Sequence, residues 1–210
     1  GADGTAHLGG RWRLLTDTTD DDMSEGPNTG LVFQVQDGTL VFETRVMVET
    51  GAVASVAINV GFNDDPTDAS NTLPVELSTT TFTSNATTFA GLVFDPDATN
   101  DDWHAFEVDD DSDTSSAIAD LRMSSSGPTA DRWQTIEVHL FDRGSGNGAG
   151  ARYTLWDEAT RVNVFRRERN TGVDRDAALC SYIGMENRAA VAHNVDVDYI
   201  YIRASRGTTA

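Results

Sequence analysis

The chain has 210 residues, 39% of them apolar, with nine Phe, four Trp and four Tyr, enough to build the core of one domain. Its 34 acidic residues outnumber 15 basic ones, all of them arginine, and the net charge is −19. A chain without lysine excludes the GxxxxGK[ST] phosphate loop, a Schiff-base lysine and a kinase-type nucleotide site, and so large an acid excess repels nucleic acid and anionic membrane.

No run of about 18 apolar residues suits a bilayer span. A single cysteine, Cys180, permits no internal disulfide, so the fold must rest on its core. Gly1 to Gly4 carry no basic-then-apolar leader, which processing would remove, so the compartment stays open. The lysine-free, Asp-rich composition suits concentrated salt, where screening relieves the self-repulsion, and a saline setting is expected.

Residues 1–30 lack sustained periodicity, and Thr16 to Thr29 are polar and acidic with Gly26-Pro27 as breakers. This segment reads as an arm or long loop, with Trp12, Leu14 and Leu15 as apolar anchors for a neighbour. From Leu31 strands begin: LVFQVQ (31–36), an Asp37-Gly38 turn, then LVFETRVMV (40–48). VASVAINVGF (53–62) alternates, and the small residues on its other side point to a second layer lying close above it. Further strands are expected at 89–94, 103–108, 118–123, 133–141, 152–157, 161–165, 178–185 and 195–203. No window holds a helical stripe, so the class is all-β, an antiparallel sandwich or barrel. In the last strand, VDVDYIYIR, apolar residues on both sides predict a central strand covered on both faces.

The run DRWQTIEVHLFDRGSGNGAGARYTLWDE (131–158) resembles the middle of concanavalin A-like jelly rolls. DAALCSYIGMENRAA (176–190), followed by VDVDYIYIRA, resembles their closing strands, and FQVQDGTLVFETRVMV their opening ones. The resemblance covers about 31–205. It implies a jelly-roll β-sandwich over 31–205, an extended arm over 1–30 and a short tail over 206–210. Within the superfamily the text is most similar to lectin-like proteins of tailed-virus particles. That resemblance implies a non-enzymatic virion protein, a capsid decoration or fibre protein on the particle surface. Its partners would be the major capsid protein and other copies of itself, as a trimer. The alternative is a secreted carbohydrate-binding module, reaching a host-surface glycan through aromatics such as Trp103, Trp133 or Trp156.

Four candidate sites follow from the residues. Glu107-Val108-Asp109 resembles the nucleophile end of the E-x-D-x-x-E glucanase pair, but Ser112 stands where the acid is needed, so hydrolysis is not expected. Asp109, Asp111, Asp113, Ser115 and Asp120 fall at positions 1, 3, 5, 7 and 12 of a calcium-loop count; Thr114 replaces the turn glycine and Asp120 the bidentate Glu. Arg166, Arg167 and Arg169 form a cationic cluster expected to meet a neighbouring subunit's acidic surface. Asn85-Ala86-Thr87 is a glycosylation sequon. The four histidines make no catalytic arrangement, Cys180 reads as a buried small hydrophobe, and the Gly144–Gly150 loop as a hairpin tip.

Overall fold

Strands with one apolar side must bury it, and two such sheets face to face are the simplest way to do so without helices. The computed structural model has this form and describes residues 10–66, 72–109, 112–113, 122–123, 127–157, 164–169 and 173–205. Sheet A contains β1 (Trp12–Leu15), β3 (Leu40–Val48), β10 (Trp133–Asp142), β11 (Ala149–Asp157), β12 (Val164–Arg169) and β14 (Asn194–Ala204), in the order β1-β14-β3-β10-β11-β12. Sheet B contains β2 (Met23–Glu25), β4 (Val56–Asn63), β7 (Phe89–Phe94), β8 (His104–Asp109), β9 (Ser112–Asp113) and β13 (Cys180–Asn187), in the order β2-β13-β4-β7-β8-β9. A separate hairpin pairs β5 (Val75–Ser78) with β6 (Thr81–Ser84). All the named pairings are antiparallel. Among the described residues no helix is long and apolar enough to cross a membrane.

The core fills the space between the sheets. Phe42, Val46, Ile136, Val138 and Tyr153 of sheet A meet Ile58, Val60, Phe62, Leu92, Ile183 and Met185 of sheet B, all nearly or fully buried. Trp103 is fully buried among them, and its indole N–H donates to Gln134 Oε1 at 2.8 Å.

The segment read as an arm is corrected over residues 10–30, where it forms an edge of each sheet. β1 pairs with β14, and β2 with β13. Leu14, opposite Val195, is 1% exposed in the core, so it anchors the chain to itself and not to a neighbour. Asp196, also 1% exposed, accepts a two-pronged bond from Arg13 at 2.6 and 2.9 Å and one from Arg11 at 3.2 Å. Four-residue strands carry too little periodicity to be read from sequence.

LVFQVQ is the second correction. Phe33 makes one bridge to Leu179, and Val35–Asp37 coil into a 3-10 turn. Phe33 packs edge-on against Phe62 at 6.4 Å and Val35 is fully buried, so the apolar alternation reported burial without strand pairing.

The closing strand is the third. β14 shifts register against β3 between Val197 and Ile200, the mark of a β-bulge. Val195 and Val197 face the core before the shift; Ile200 and Ile202 pack against it afterwards, leaving Tyr199 and Tyr201 outside. The two-sided apolar pattern is one face interrupted by a change of phase, so the strand's latter half is open on one side.

Candidate functional site

The sandwich presents two outer faces, and they differ. Sheet B's is sealed by the chain itself. All eight residues of β4 are buried, as the small residues opposite its core face predicted. Val75 and Leu77 of the hairpin lie with Phe89, Val93, Phe106, Val108 and Tyr182 in a second cluster, and Phe82 stacks on Phe106 at 4.2 Å. Asn59, fully buried, donates from Nδ2 to the Val75 carbonyl and accepts the Val75 N–H at Oδ1, both at 3.0 Å, standing in for a strand neighbour. Gly91 is required here, because a Cβ would lie 2.4 Å from the Phe89 ring folded across it.

Polar groups beneath the hairpin fasten it down. Arg188 donates to both oxygens of Asp95, at 3.2 and 2.8 Å, and to Glu186, and lies 3.6 Å from Glu76. Asp95 in turn accepts the Leu77 N–H at 3.1 Å, and Glu186 the Leu73 N–H at 3.2 Å. One guanidinium thereby holds two carboxylates that grip the covering segment's backbone. Burial pushes the Glu186 carboxyl up from 4.5 to about 7, against the lowering pull of Arg188. Between those values the folded protein keeps a proton that the unfolded chain has released, so this group makes stability fall as pH rises from about 4.5 to about 7. A Glu186→Gln variant is expected to lose that slope. Urea midpoints of both proteins at about pH 5 and about pH 7.5 measure it, the difference moving in the variant's favour as pH rises.

Sheet A's outer face is open. Arg45 lies 4.8 Å over the Trp133 ring and pairs with Asp198 at 2.7 Å. Tyr199 donates its hydroxyl to Glu43 at 2.6 Å, and burial, then that bond, pushes the phenol up to about 12. Glu43 stands directly opposite Glu137 in the β3–β10 register, and Thr154 donates to Glu137 at 3.4 Å. Trp133 and Trp156 are half-buried, while Tyr201 is 50% exposed. The result is a band of aromatic rings set among carboxylates and the arginines Arg45, Arg152 and Arg203. Of the three tryptophans expected on a glycan face, Trp103 is excluded by its full burial.

The remaining expected residues are not brought together. Glu107 is 2% exposed, lies between the sheets and accepts the Tyr153 hydroxyl at 2.6 Å, out of reach of a glycosidic bond. Of the calcium-loop positions, Asp109 and Asp113 lie on neighbouring antiparallel strands, with Val108 paired to Asp113 and Asp109 to Ser112. Asp111, Ser115 and Asp120 lie outside the described residues. No three His, Cys, Asp or Glu side chains gather as a metal site among the described residues. Arg166, Arg167 and Arg169 lie on β12, the sheet-A edge strand, opposite Thr154, Tyr153 and Ala151. Cys180 is fully buried, its thiol pushed up to about 11 by that burial. The sequon amide of Asn85 is engaged, donating to the Leu73 carbonyl at 2.9 Å and to Glu76 at 3.0 Å. Sequence reading missed the Arg188 network; the only local signal was Glu186 and Arg188 at alternate positions of one strand's end.

No family model and no curated protein sequence matches this chain. Solved structures do match in shape. A seed lectin of Lotus tetragonolobus superposes with a TM-score of 0.55 at 10% identity, over 98% of this chain and 91% of the lectin. The fold is a concanavalin A-like jelly roll. A marine PL-14 alginate lyase from Aplysia kurodai has a TM-score of 0.54 at 11% identity, over 93% of this chain and 83% of the lyase. A protein of unknown function from Shewanella oneidensis MR-1 has 0.60 at 11% identity, over all of this chain and 76% of its own. Identities this low establish the jelly roll and nothing finer.

Proposed function

We propose that this chain is a non-catalytic structural protein of a virion, a decoration or fibre sandwich on the outer surface of the particle that acts by contact. The observation that carries the reading is the seal over sheet B. A groove that enclosed a polymer for turnover needs an open, polar floor, and here that floor lies under the chain's own hairpin. The resemblance of the closing strands to lectin-like proteins of tailed-virus particles supports the virion setting. Its partners would then be the major capsid protein and further copies of the chain, and its acid surface would keep such particles dispersed in salt water.

A second reading, a secreted carbohydrate-binding module, is favoured by one observation. Trp133, Trp156, Tyr199 and Tyr201 lie on the open sheet with Glu43 and Glu137, the aromatic and carboxylate mixture on which sugar rings stack and hydrogen-bond. The lectin among the shape matches supports it. Incubation with a panel of neutral and acidic polysaccharides separates the readings. The virion role expects no shortened products and no retention on any polymer. Retention abolished by Trp156→Ala in a folded protein would transfer the assignment to the glycan module, and product release would overturn both.

A further inference from the structure

The link between β10 and β11 carries Asn147-Gly148, the one Asn-Gly step in the chain. The Arg143 N–H donates to the Gly148 carbonyl at 3.3 Å, and the Asn147 N–H to the Gly144 carbonyl at 3.1 Å. Ser145, Gly146 and Asn147 at its apex are exposed. Gly146 and Gly148 have φ of +82° and +64°, the left-handed region that glycine enters freely. Among the described residues the Gly148 N–H has no acceptor. The Asn147 amide makes one long contact, Nδ2 donating to the Arg143 carbonyl at 3.3 Å. An unbonded backbone N–H thus follows directly on a loosely held side-chain amide, with no side chain on Gly148 to obstruct their approach. Other asparagines are placed differently. Asn59, Asn63 and Asn187 are buried, and the N–H groups that follow Asn63 and Asn187 donate to the Thr88 and Ser55 carbonyls at 3.1 and 2.7 Å. Asn85 is followed by Ala86, whose N–H donates to the Pro74 carbonyl at 3.2 Å.

We propose that Asn147 is a site of spontaneous covalent modification, at which the chain's own backbone exchanges the side-chain amide for a carboxylate. The Gly148 nitrogen gives its proton to a solvent base and bonds to Asn147 Cγ. The Cγ–Nδ2 bond breaks, ammonia leaves with a proton returned from solvent, and a five-membered succinimide closes. Water then opens the ring. Cleavage between Cγ and the Gly148 nitrogen leaves aspartate, and cleavage at the Asn147 backbone carbonyl leaves isoaspartate, with the chain rerouted through Cβ and Cγ. One water is consumed and one ammonia released, with no oxidant and no cofactor. Either product sets a carboxylate near Arg143, whose Nη1 donates to the Asn147 carbonyl at 3.1 Å, and adds one negative charge to the −19 of the chain. Isoaspartate also lengthens the link by a methylene directly above the Asp142–Ala149 pair. Exposed loop tips accept such changes without loss of the fold. The hairpin tip therefore changes charge and length with the age of the protein, wherever the protein is displayed.

Peptide mass measurement tests it. Arg143 and Arg152 bracket the site, so trypsin releases residues 144–152, which hold no other side-chain amide. The folded full chain is incubated at neutral and at mildly alkaline pH, and digests are compared with one taken at the start. Residues 144–152 are expected to convert to the acid form, faster at the higher pH, with isoaspartate exceeding aspartate and ammonia released mole for mole. Peptides that hold Asn59, Asn63, Asn85 and Asn187 are expected to stay unchanged. Gly148→Ala is expected to slow conversion at least tenfold, because a Cβ crowds the attacking nitrogen. Asn147→Gln, which leaves every glycine of the turn in place, is expected to do the same, because its ring would have six members. A folded chain that keeps its amide while the free peptide 144–152 converts in the same buffer would overturn the proposal, since the turn would then shield Asn147. So would conversion that is indifferent to Gly148→Ala, or that proceeds equally at the buried asparagines.

Discussion

Replacing Arg188 by methionine is expected to lower the unfolding free energy by about 3–5 kcal/mol, the cost of breaking a buried ion network from one side. The Arg188 side chain is 8% exposed, and its partners Asp95 and Glu186 are 0% and 2% exposed. Methionine fills a similar volume, so the loss reports charge more than space. Two carboxylates would be left without their cation while still accepting the Leu77 and Leu73 N–H groups. Acid should relieve part of the deficit, because protonation removes the charge that Glu186 would carry unpaired. Urea titration of both proteins near neutrality and at mild acidity measures this, and an equal deficit at both pH values would contradict the charge argument. The same variant should loosen the hairpin over sheet B, seen as faster amide exchange at Leu73 and Leu77.

The second large effect belongs to Asn59. Asn59→Ala removes the one side chain that satisfies both backbone groups of Val75, in a place from which water is excluded. Leaving a buried donor and a buried acceptor without partners costs about 2–4 kcal/mol. Protease cleavage between β5 and β6 should accelerate with it, since the hairpin then loses its polar tie at Val75 and keeps the one from Asp95 to the Leu77 N–H. Unchanged cleavage with lowered global stability would show that Asn59 serves the sheet and not its cover. Both variants bear on function, because the cover is what denies sheet B a groove.

Much of this was legible in the sequence, for a physical reason. Long strands repeat their alternation often enough to be read, so β3 and β7 appear at their expected bounds and β10, β11 and β13 within a few residues. The second layer over β4 was legible because Ala57 and Gly61 leave room that only a close neighbour can use. The short elements were not: β1 and β2 gain their strand character from partners about 170 residues away, a tertiary cause that no local window contains. The bulge in β14 hid in plain view, as a phase change between Val197 and Ile200 that looks like two apolar faces. The candidate site divides in the same way. The open-face tyrosines stand in the closing-strand motif, whereas the Arg188–Asp95 pair spans 93 residues and follows from the fold alone.

The aspartate spacing is a different case. Spacing alone suggests a calcium loop of Asp109, Asp111, Asp113 and Asp120, and convergence on one ion depends on how the backbone carries all four. Asp109 pairs with Ser112 and Val108 with Asp113, while Asp111 and Asp120 lie outside the described residues. In a chain with 25 aspartates such spacings arise without a ligand to select them.

A virion role is tested on particles. Virus particles purified from a culture that carries the gene for this chain would be labelled with antibody raised against the folded protein and viewed by electron microscopy. Regular labelling of the outer surface of intact particles is expected, with the chain present in many copies in their protein composition. Particles free of the chain, with the protein recovered instead from the medium bound to polysaccharide, would contradict it.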